Sequence, residues 1–201
     1  MKKIFILLFS ICIISLFILN NKKTARVEQL PKDSLAQKYE NEYFSIMHPQ
    51  NWITEWTDNA PDESIKPILD SLGVKGGTLE LWSPDNRIGV KIVKSVSGWL
   101  DPNGNPKIWC EMSAVGKRNN DYFIGMSDIT DSITLAGYPA AQITFSYYNG
   151  QDTLLQSQYA IVPKIGELYY ANIIHMINDK EGYLLGRKML HTLHLKVDVE
   201  K

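Results

Sequence analysis

LYYANIIHMINDKEGYLLGRKML, residues 168–190, is the stretch whose reading decides the fold. Its first ten residues are apolar on both alternations, with Tyr170, Ile174 and Met176 on one side and Tyr169, Ala171, Ile173 and Ile177 on the other. A strand with one face in water carries a single apolar side, so two apolar sides predict a central strand covered on both. Asn178 and Glu181 then stand three apart, the spacing of a capping box that opens a helix. Tyr183, Gly186, Leu190 and Leu193 follow at helical spacing and mark one face, which predicts a helix returning onto the sheet.

Outward from this stretch the same periodicity continues. Ile143, Phe145 and Tyr147 alternate with Gln142, Thr144 and Ser146, Tyr159 and Ile161 follow, and turn residues fall at Asn149–Gly150 and Ile165–Gly166. That pattern predicts an antiparallel meander. Thr78 to Trp82 and Ile88 to Ser95 predict a hairpin joined by Pro84, Asp85 and Asn86. Phe44 and Ile46 predict a short strand stopped by Pro49, with Trp52 to Trp56 continuing extended after it as a hairpin. Between Pro61 and Gly73, Ile65, Ile68, Leu69 and Leu72 predict a short amphipathic helix capped by Ser64. Gly98 to Pro106 reads as a surface loop, Lys107 to Met112 as a strand and Gly116 to Asp121 as a polar loop.

Three places carry a family likeness. Tyr43, Phe44, Ser45 and Ile46, with Pro49, Asn51 and Trp52, look like an aromatic-Ser-Ile, Pro-x-x-Trp opening. Ile133 to Ala141, with Gly137, Pro139 and Ala140, look like a Gly-x-Pro-Ala turn into a long strand. The aromatic strand around Tyr169 and Tyr170 leads to a helix closing on Met189, Leu190, Thr192, Leu193 and Lys196. In this order, over Tyr43 to Lys196, the chain resembles the PsbP-like family, named for an extrinsic subunit of photosystem II and including bacterial envelope proteins. The resemblance implies an α+β fold, an antiparallel β-sheet covered by helices on both faces as an α/β/α sandwich. It also implies a docking or assembly role and no enzyme activity. It carries over no ion-site residues and no photosynthetic partner.

Length and composition bound the remainder. Of 201 residues, 44% are hydrophobic and 21% charged, an ordinary globular composition. Lysine and arginine number 21 against 22 acidic residues, and no basic stripe marks the body, so nucleic acid is not expected as a partner. Met1 to Lys3 holds two lysines and Ile4 to Leu19 is apolar apart from Ser10, Cys12 and Ser15, which is a targeting segment. Phe17, Ile18, Leu19 and Asn20 offer no small residues for a signal peptidase, so an uncleaved membrane anchor is expected, with secretion after cleavage as the alternative. Lysines on both sides of the segment leave its orientation open; the domain is placed outside the cytoplasm. The chain thus reads as an anchor or signal segment (1–21), a polar tether (22–38) and a domain (39–197).

Residues with chemical potential are few. His191 and His194, three apart, could offer two imidazoles to a metal, but no third ligand stands at a recognisable interval and a helix C-terminus suits histidines anyway. His175 lies among apolar strand residues, where a packed, hydrogen-bonded imidazole is the ordinary reading and a catalytic one needs a partner. Cys110, beside Trp109, reads as a packed strand thiol. Asp101, Asn103 and Asn105 imitate a calcium loop but lack its glycine and final glutamate. Gly125, Met126 and Ser127 begin like a nucleophile elbow without its second glycine. Gly76 and Gly77 lack the lysine of a P-loop. Trp52 and Trp56, four apart, and Trp99 in the Gly-rich loop either pack or form a docking patch. No cofactor is expected. The function expected is a protein-interaction or assembly module binding another envelope or membrane protein. The alternatives are a small-ligand site lined by Trp52, Trp56 or His175, and a hydrolase of unrecognised type built on His175.

Overall fold

The computed structural model describes residues 35–58, 75–96, 104–148 and 150–197, all in one of the two units into which the chain divides, Asp33–Lys201. The expected anchor (1–21), the tether up to residue 34, the expected 61–73 helix and most of the Gly98–Pro106 loop lie outside the described residues. Among the described residues no helix is long and apolar enough to cross a membrane. In chain order the elements are β1 (Gln37–Glu40), β2 (Phe44–His48), β3 (Ile53–Asp58), β4 (Lys75–Trp82), β5 (Ile88–Val96) and α1 (Pro106–Lys117). There follow β6 (Phe123–Met126), β7 (Thr130–Leu135), β8 (Tyr138–Tyr148), β9 (Thr153–Lys164), β10 (Glu167–Met176), α2 (Lys180–His191) and β11 (His194–Leu195).

The chain is therefore α+β, an antiparallel sheet with two helices among the described residues. The large sheet has the order β3-β4-β5-β10-β9-β8-β6, with β7 also alongside β8. β10 sits inside it, paired along its length with β5 (Ile173↔Val90) and with β9 (Ile173↔Ser157). That position fits its double apolar alternation, because both backbone edges are bonded and side chains of both rows are buried. The meander follows the expected turns: Gly150 and Gly166 take positive φ, as does Asn86 in the β4–β5 turn. β7 and β8 are joined across Ala136 and Gly137, both at positive φ, the two-residue geometry that matches strand twist.

Adjacent residues on one strand enter different clusters. Ala141, Ile143, Phe145, Ala160, Val162 and Leu168 pack with Trp109, Cys110 and Ala114 of α1. Ala140, Tyr159, Ile161, Tyr169, Ala171 and Ile173 pack with Met189 and Leu190 of α2. α2 starts one residue later than the capping-box reading: the Asp179 carboxylate, not Asn178, accepts from the Gly182 amide at 2.8 Å. Its Gly182 and Gly186 let the helix lie very close to the sheet. A Cβ on Gly186 would stand 2.6 Å from Ile173 Cγ2, and one on Gly182 would stand 2.7 Å from Ile88 Cγ1.

Three expectations are corrected. Lys107–Met112 is not a strand but the body of α1. Asn105 caps it by accepting from the Lys107 amide at 3.0 Å, Pro106 opens it, and Trp109, Cys110, Ser113 and Ala114 face the sheet at helical spacing. Cys110 is accordingly a packed helix thiol. β2 and β3 form no hairpin: β3 pairs with β4, while β2 joins a separate three-stranded sheet between β1 and β11. β1 begins at Gln37, inside the stretch read as tether, and β11 follows α2; neither was expected.

Phe44, fully buried, links that small sheet to the large one. Its ring lies 6.1 Å from Tyr39, 6.0 Å from Trp56 and 6.4 Å from Tyr169. The last turn of α2 is tied to the same sheet by Thr192, whose hydroxyl accepts from the Met47 amide at 2.8 Å and donates to the Met189 carbonyl at 2.7 Å.

Burial also sets the acid–base character of the interior. It pushes the Cys110 thiol up to about 11 and, with help from Glu42, the Tyr43 phenol up to about 12; Tyr147 and Tyr170 are pushed well above the phenol range. These groups hold protons in the fold that an unfolded chain releases from ordinary values of 9.0 and 10.0. Their contribution is complete below those values and is lost as pH rises through 11 and 12.

Two outcomes are expected. Gly186→Val forces a branched side chain against Ile173 and lowers stability by about 1–3 kcal/mol in a denaturant melt, while Gly125→Ala, whose Cβ meets nothing within 4 Å, leaves the midpoint almost unchanged. Thermal melts across a pH series stay level from about pH 7 to about pH 9 and then fall steadily toward pH 12; a level profile to pH 12 contradicts the burial of these groups.

Candidate functional site

The residues singled out by their chemistry are dispersed. Trp52 is 5% exposed and belongs to the main core. Trp56, on β3, lies over Gly77, donates its indole N–H to Asp58 at 2.8 Å and packs against Tyr43 and Phe44. Trp99 lies outside the described residues. His175, near the end of β10, is 5% exposed; its Nδ1 donates to the Met176 carbonyl at 2.8 Å and its ring lies 5.2 Å from that of Tyr183. The group nearest in character is Tyr159, whose phenol is raised by burial and by a hydrogen bond with Tyr183 against an opposing pull from Arg187. A phenol held neutral in this way is no base.

His191 ends α2 and His194 begins β11, both exposed, with the helix terminating between them. Among the described residues no group of three or more His, Cys, Asp or Glu is placed to hold a metal ion. Ser127 is engaged on both sides: it accepts from the Thr144 amide at 3.0 Å and donates to the Asp128 carbonyl at 2.9 Å. A serine nucleophile needs an acceptor base in that second position. Glu80 lies across the sheet from Lys91. Burial alone would raise its carboxyl, but Lys91 at 2.7 Å and the Trp82 indole hold it below the ordinary carboxylate value, the behaviour of a structural ion pair.

The described surface feature that does assemble lies where α1 meets the far edge of the sheet. β6 and β7 pair with opposite ends of β8, through Phe123↔Tyr147 and Leu135↔Tyr138, so together they form one interrupted edge strand. In the interruption Ser127 keeps contact with β8 through its amide, 2.8 Å from the Thr144 carbonyl, and through its hydroxyl. Ser127, Asp128 and Ile129 then form one wall of a groove of about 420 Å³. Lys107, Glu111 and Val115 of α1, with Arg118 just past its end, form the other wall, and Ile143 is also part of the lining. Lys107 and Asp131 close on each other at 3.4 Å between α1 and β7.

Large apolar side chains stay in water here: Val115 is 65% exposed, Ile124 58% and Met126 39%. Arg118 places Nη2 3.9 Å from the Met126 sulfur. Sequence reasoning missed this site, since Lys107, Glu111, Val115 and Arg118 share a face only if residues 106–117 are helical. The one usable signal was Asn105–Pro106, a cap followed by a first-turn proline.

No family model matches the chain, and no curated protein matches it. Among solved structures it is similar to LpqN, involved in cell envelope biogenesis of Mycobacterium tuberculosis, at 15% identity over 77% of this chain and 83% of that one, with a TM-score of 0.48. It is similar to a protein of unknown function from Pseudomonas aeruginosa at 11% identity over 82% and 98% of the two chains, TM-score 0.45. It is also similar to the cyanobacterial PsbP of Synechocystis, whose structure was solved in solution, at 12% identity over 80% and 92%, TM-score 0.46. The solved structures this chain is similar to thus include a PsbP and a protein involved in bacterial cell envelope biogenesis.

Proposed function

We propose that this chain is a non-catalytic interaction or assembly module, held at a membrane by residues 1–21 and displayed outside the cytoplasm, where it binds another envelope or membrane protein. One observation carries the reading. The exposed apolar side chains Val115 and Met126 line a groove, and Ile124 is exposed on the same edge strand as Met126, while the imidazole, thiol and hydroxyl groups of His175, Cys110 and Ser127 are each packed or hydrogen-bonded within the fold. Apolar surface left in water around a groove is a feature of binding faces. The run Ile4–Leu19 after Lys2 and Lys3 supports the tether.

The α/β/α layering belongs to the same reading. Successive residues on a strand point to opposite faces, and the pairs Ala140 and Ala141, Ala160 and Ile161, and Leu168 and Tyr169 divide between the α2 and α1 clusters. In this arrangement Trp52, Trp56 and His175 serve the core, and the binding work falls to the edge beyond α1.

The test is photo-crosslinking on intact cells, with the crosslinking side chain placed in turn at the exposed positions Val115, Ile165 and Leu184 of the chain at native abundance. A single partner trapped reproducibly from one face is expected. Repeated recovery of the chain alone from all three sinks the module reading.

A further inference from the structure

The edges of the two sheets are not alike. β3, at one end of the large sheet, carries Glu55 and Asp58; β1 carries Lys38 and Glu40; β7 carries Asp131. Charges on an edge strand discourage another chain from adding to it. β6, Phe123-Ile124-Gly125-Met126, terminates the large sheet and has no charge within it. Ile124 is skipped by the register with β8, which passes from Phe123 to Gly125, and it stands 58% exposed.

The charges lie just outside. Asp121 and Asp128 bracket β6, both are exposed, and neither carboxylate has an ion-pair or hydrogen-bond partner among the described residues. We infer that the β6 edge adds an extended peptide strand from a partner protein, apolar at its centre and carrying a lysine or arginine toward each end to meet Asp121 and Asp128. The inference rests on the interaction-module reading and specifies its surface. Six residues lie between the two aspartates, four of them in β6 with Ile124 skipped by the register, so the two basic residues of the partner stand roughly 20 Å apart, about six positions along an extended chain.

Side chains of the added strand alternate, one row meeting Ile124 and the other meeting Met126 and, beyond it, Val115 in the α1 groove. Arg118 lies on that groove side against the Met126 sulfur and Asp128 stands on the facing wall, so the apolar centre of the peptide passes Met126 and one of its basic residues reaches the groove at Asp128. A second copy of this chain fits the edge poorly. Antiparallel self-pairing centred on Ile124–Gly125 sets Asp121 of one copy against Asp128 of the other at both ends, and like charges facing each other across a strand pair oppose it.

The experiment uses the full-length protein in mild detergent and two labelled peptides of about eight residues, identical in their Val/Thr centre but ending in lysines or in glutamates. Fluorescence anisotropy should show saturable binding of the lysine-ended peptide, weakened by salt, and about tenfold poorer binding of the glutamate-ended one. Asp121→Lys with Asp128→Lys should reverse that preference, and Ile124→Lys should abolish binding with an unchanged melting curve. Equal binding of both peptides, or binding that survives Ile124→Lys, overturns the proposal, as does self-association that Ile124→Lys disrupts. If neither peptide binds while crosslinking through Ile165 or Leu184 still traps a partner, the edge is wrong and the module reading stands.

Discussion

The fold depends on how closely α2 lies on β5 and β10. Glycine inside a helix costs about 1 kcal/mol relative to alanine, and α2 carries two, Gly182 and Gly186, both buried. The space they free is taken by Ile88 and Ile173, each within contact of where a Cβ would stand. Packing regained along that seam offsets the helical cost, and the seam sets the height of everything after it. Because the helix runs low on the sheet, Leu193 and Leu195 continue into the same core, β11 reaches β2, and the Lys196 amide donates to the Tyr43 carbonyl at 2.8 Å. The C-terminal strand thereby closes a sheet that the start of the described chain opens.

α1 does the corresponding work at the other half of the sheet with different materials. Trp109, Cys110 and Ala114 alternate large and small against Ala141, Ile143, Phe145 and Ala160, so a helix with no buried glycine still packs. Tyr170 donates its hydroxyl to the Trp109 carbonyl at 3.4 Å, and Lys117 at the far end reaches Gln156 at 3.1 Å while lying 5.2 Å from the Phe145 ring centre. The helix is held at both ends over β8 and β9 and stops short of β6. The groove is what remains between a helix fixed by the inner strands and an edge strand interrupted at Ser127.

How much of this was legible follows from how local each determinant is. β8, β9 and β10 declare themselves by alternation and by turn residues adjacent in sequence, and β4–β5 by Pro84–Asn86. α2 was legible except for its first residue, since Asn178 and Asp179 both have capping side chains and only the three-dimensional path decides which one accepts from Gly182. Lys107–Met112 misled because Ile108, Trp109 and Cys110 suit a strand as well as a helix, and the cap before them sat in a stretch dense in turn residues. Pairing partners were the least legible. β2 and β3 are each strand-like, yet a turn-forming sequence between two strands does not require them to bond, and β2 finds β11 about 150 residues away at a loop-closure cost no local pattern reports. The groove is illegible for the same reason, being built from residues 107–118, 126–129 and 143 together. The histidines and tryptophans stood out by chemistry, but chemistry alone does not tell a packed side chain from an available one.

The placement of charge at the sheet edges bears on whether the β6 surface is an accident of topology. An antiparallel sheet that does not close has two outer strands, and both expose backbone groups that can pair with a foreign chain. In this chain the β3 edge carries Glu55 and Asp58 among exposed threonines, following an exposed Ile53, and the β1 edge of the small sheet carries Lys38 and Glu40. β6 is blunted only by its four-residue length and the irregularity at Ile124; protection by charge would have needed one charged residue in place of Ile124, a position that is mostly in water and contributes little to the core. An isoleucine there gains almost nothing for folding, because burying apolar area is what stabilises, and it raises the hazard of unwanted pairing. Its presence, with the carboxylates moved just beyond the strand ends, is an arrangement that folding alone does not require and that selective strand addition does.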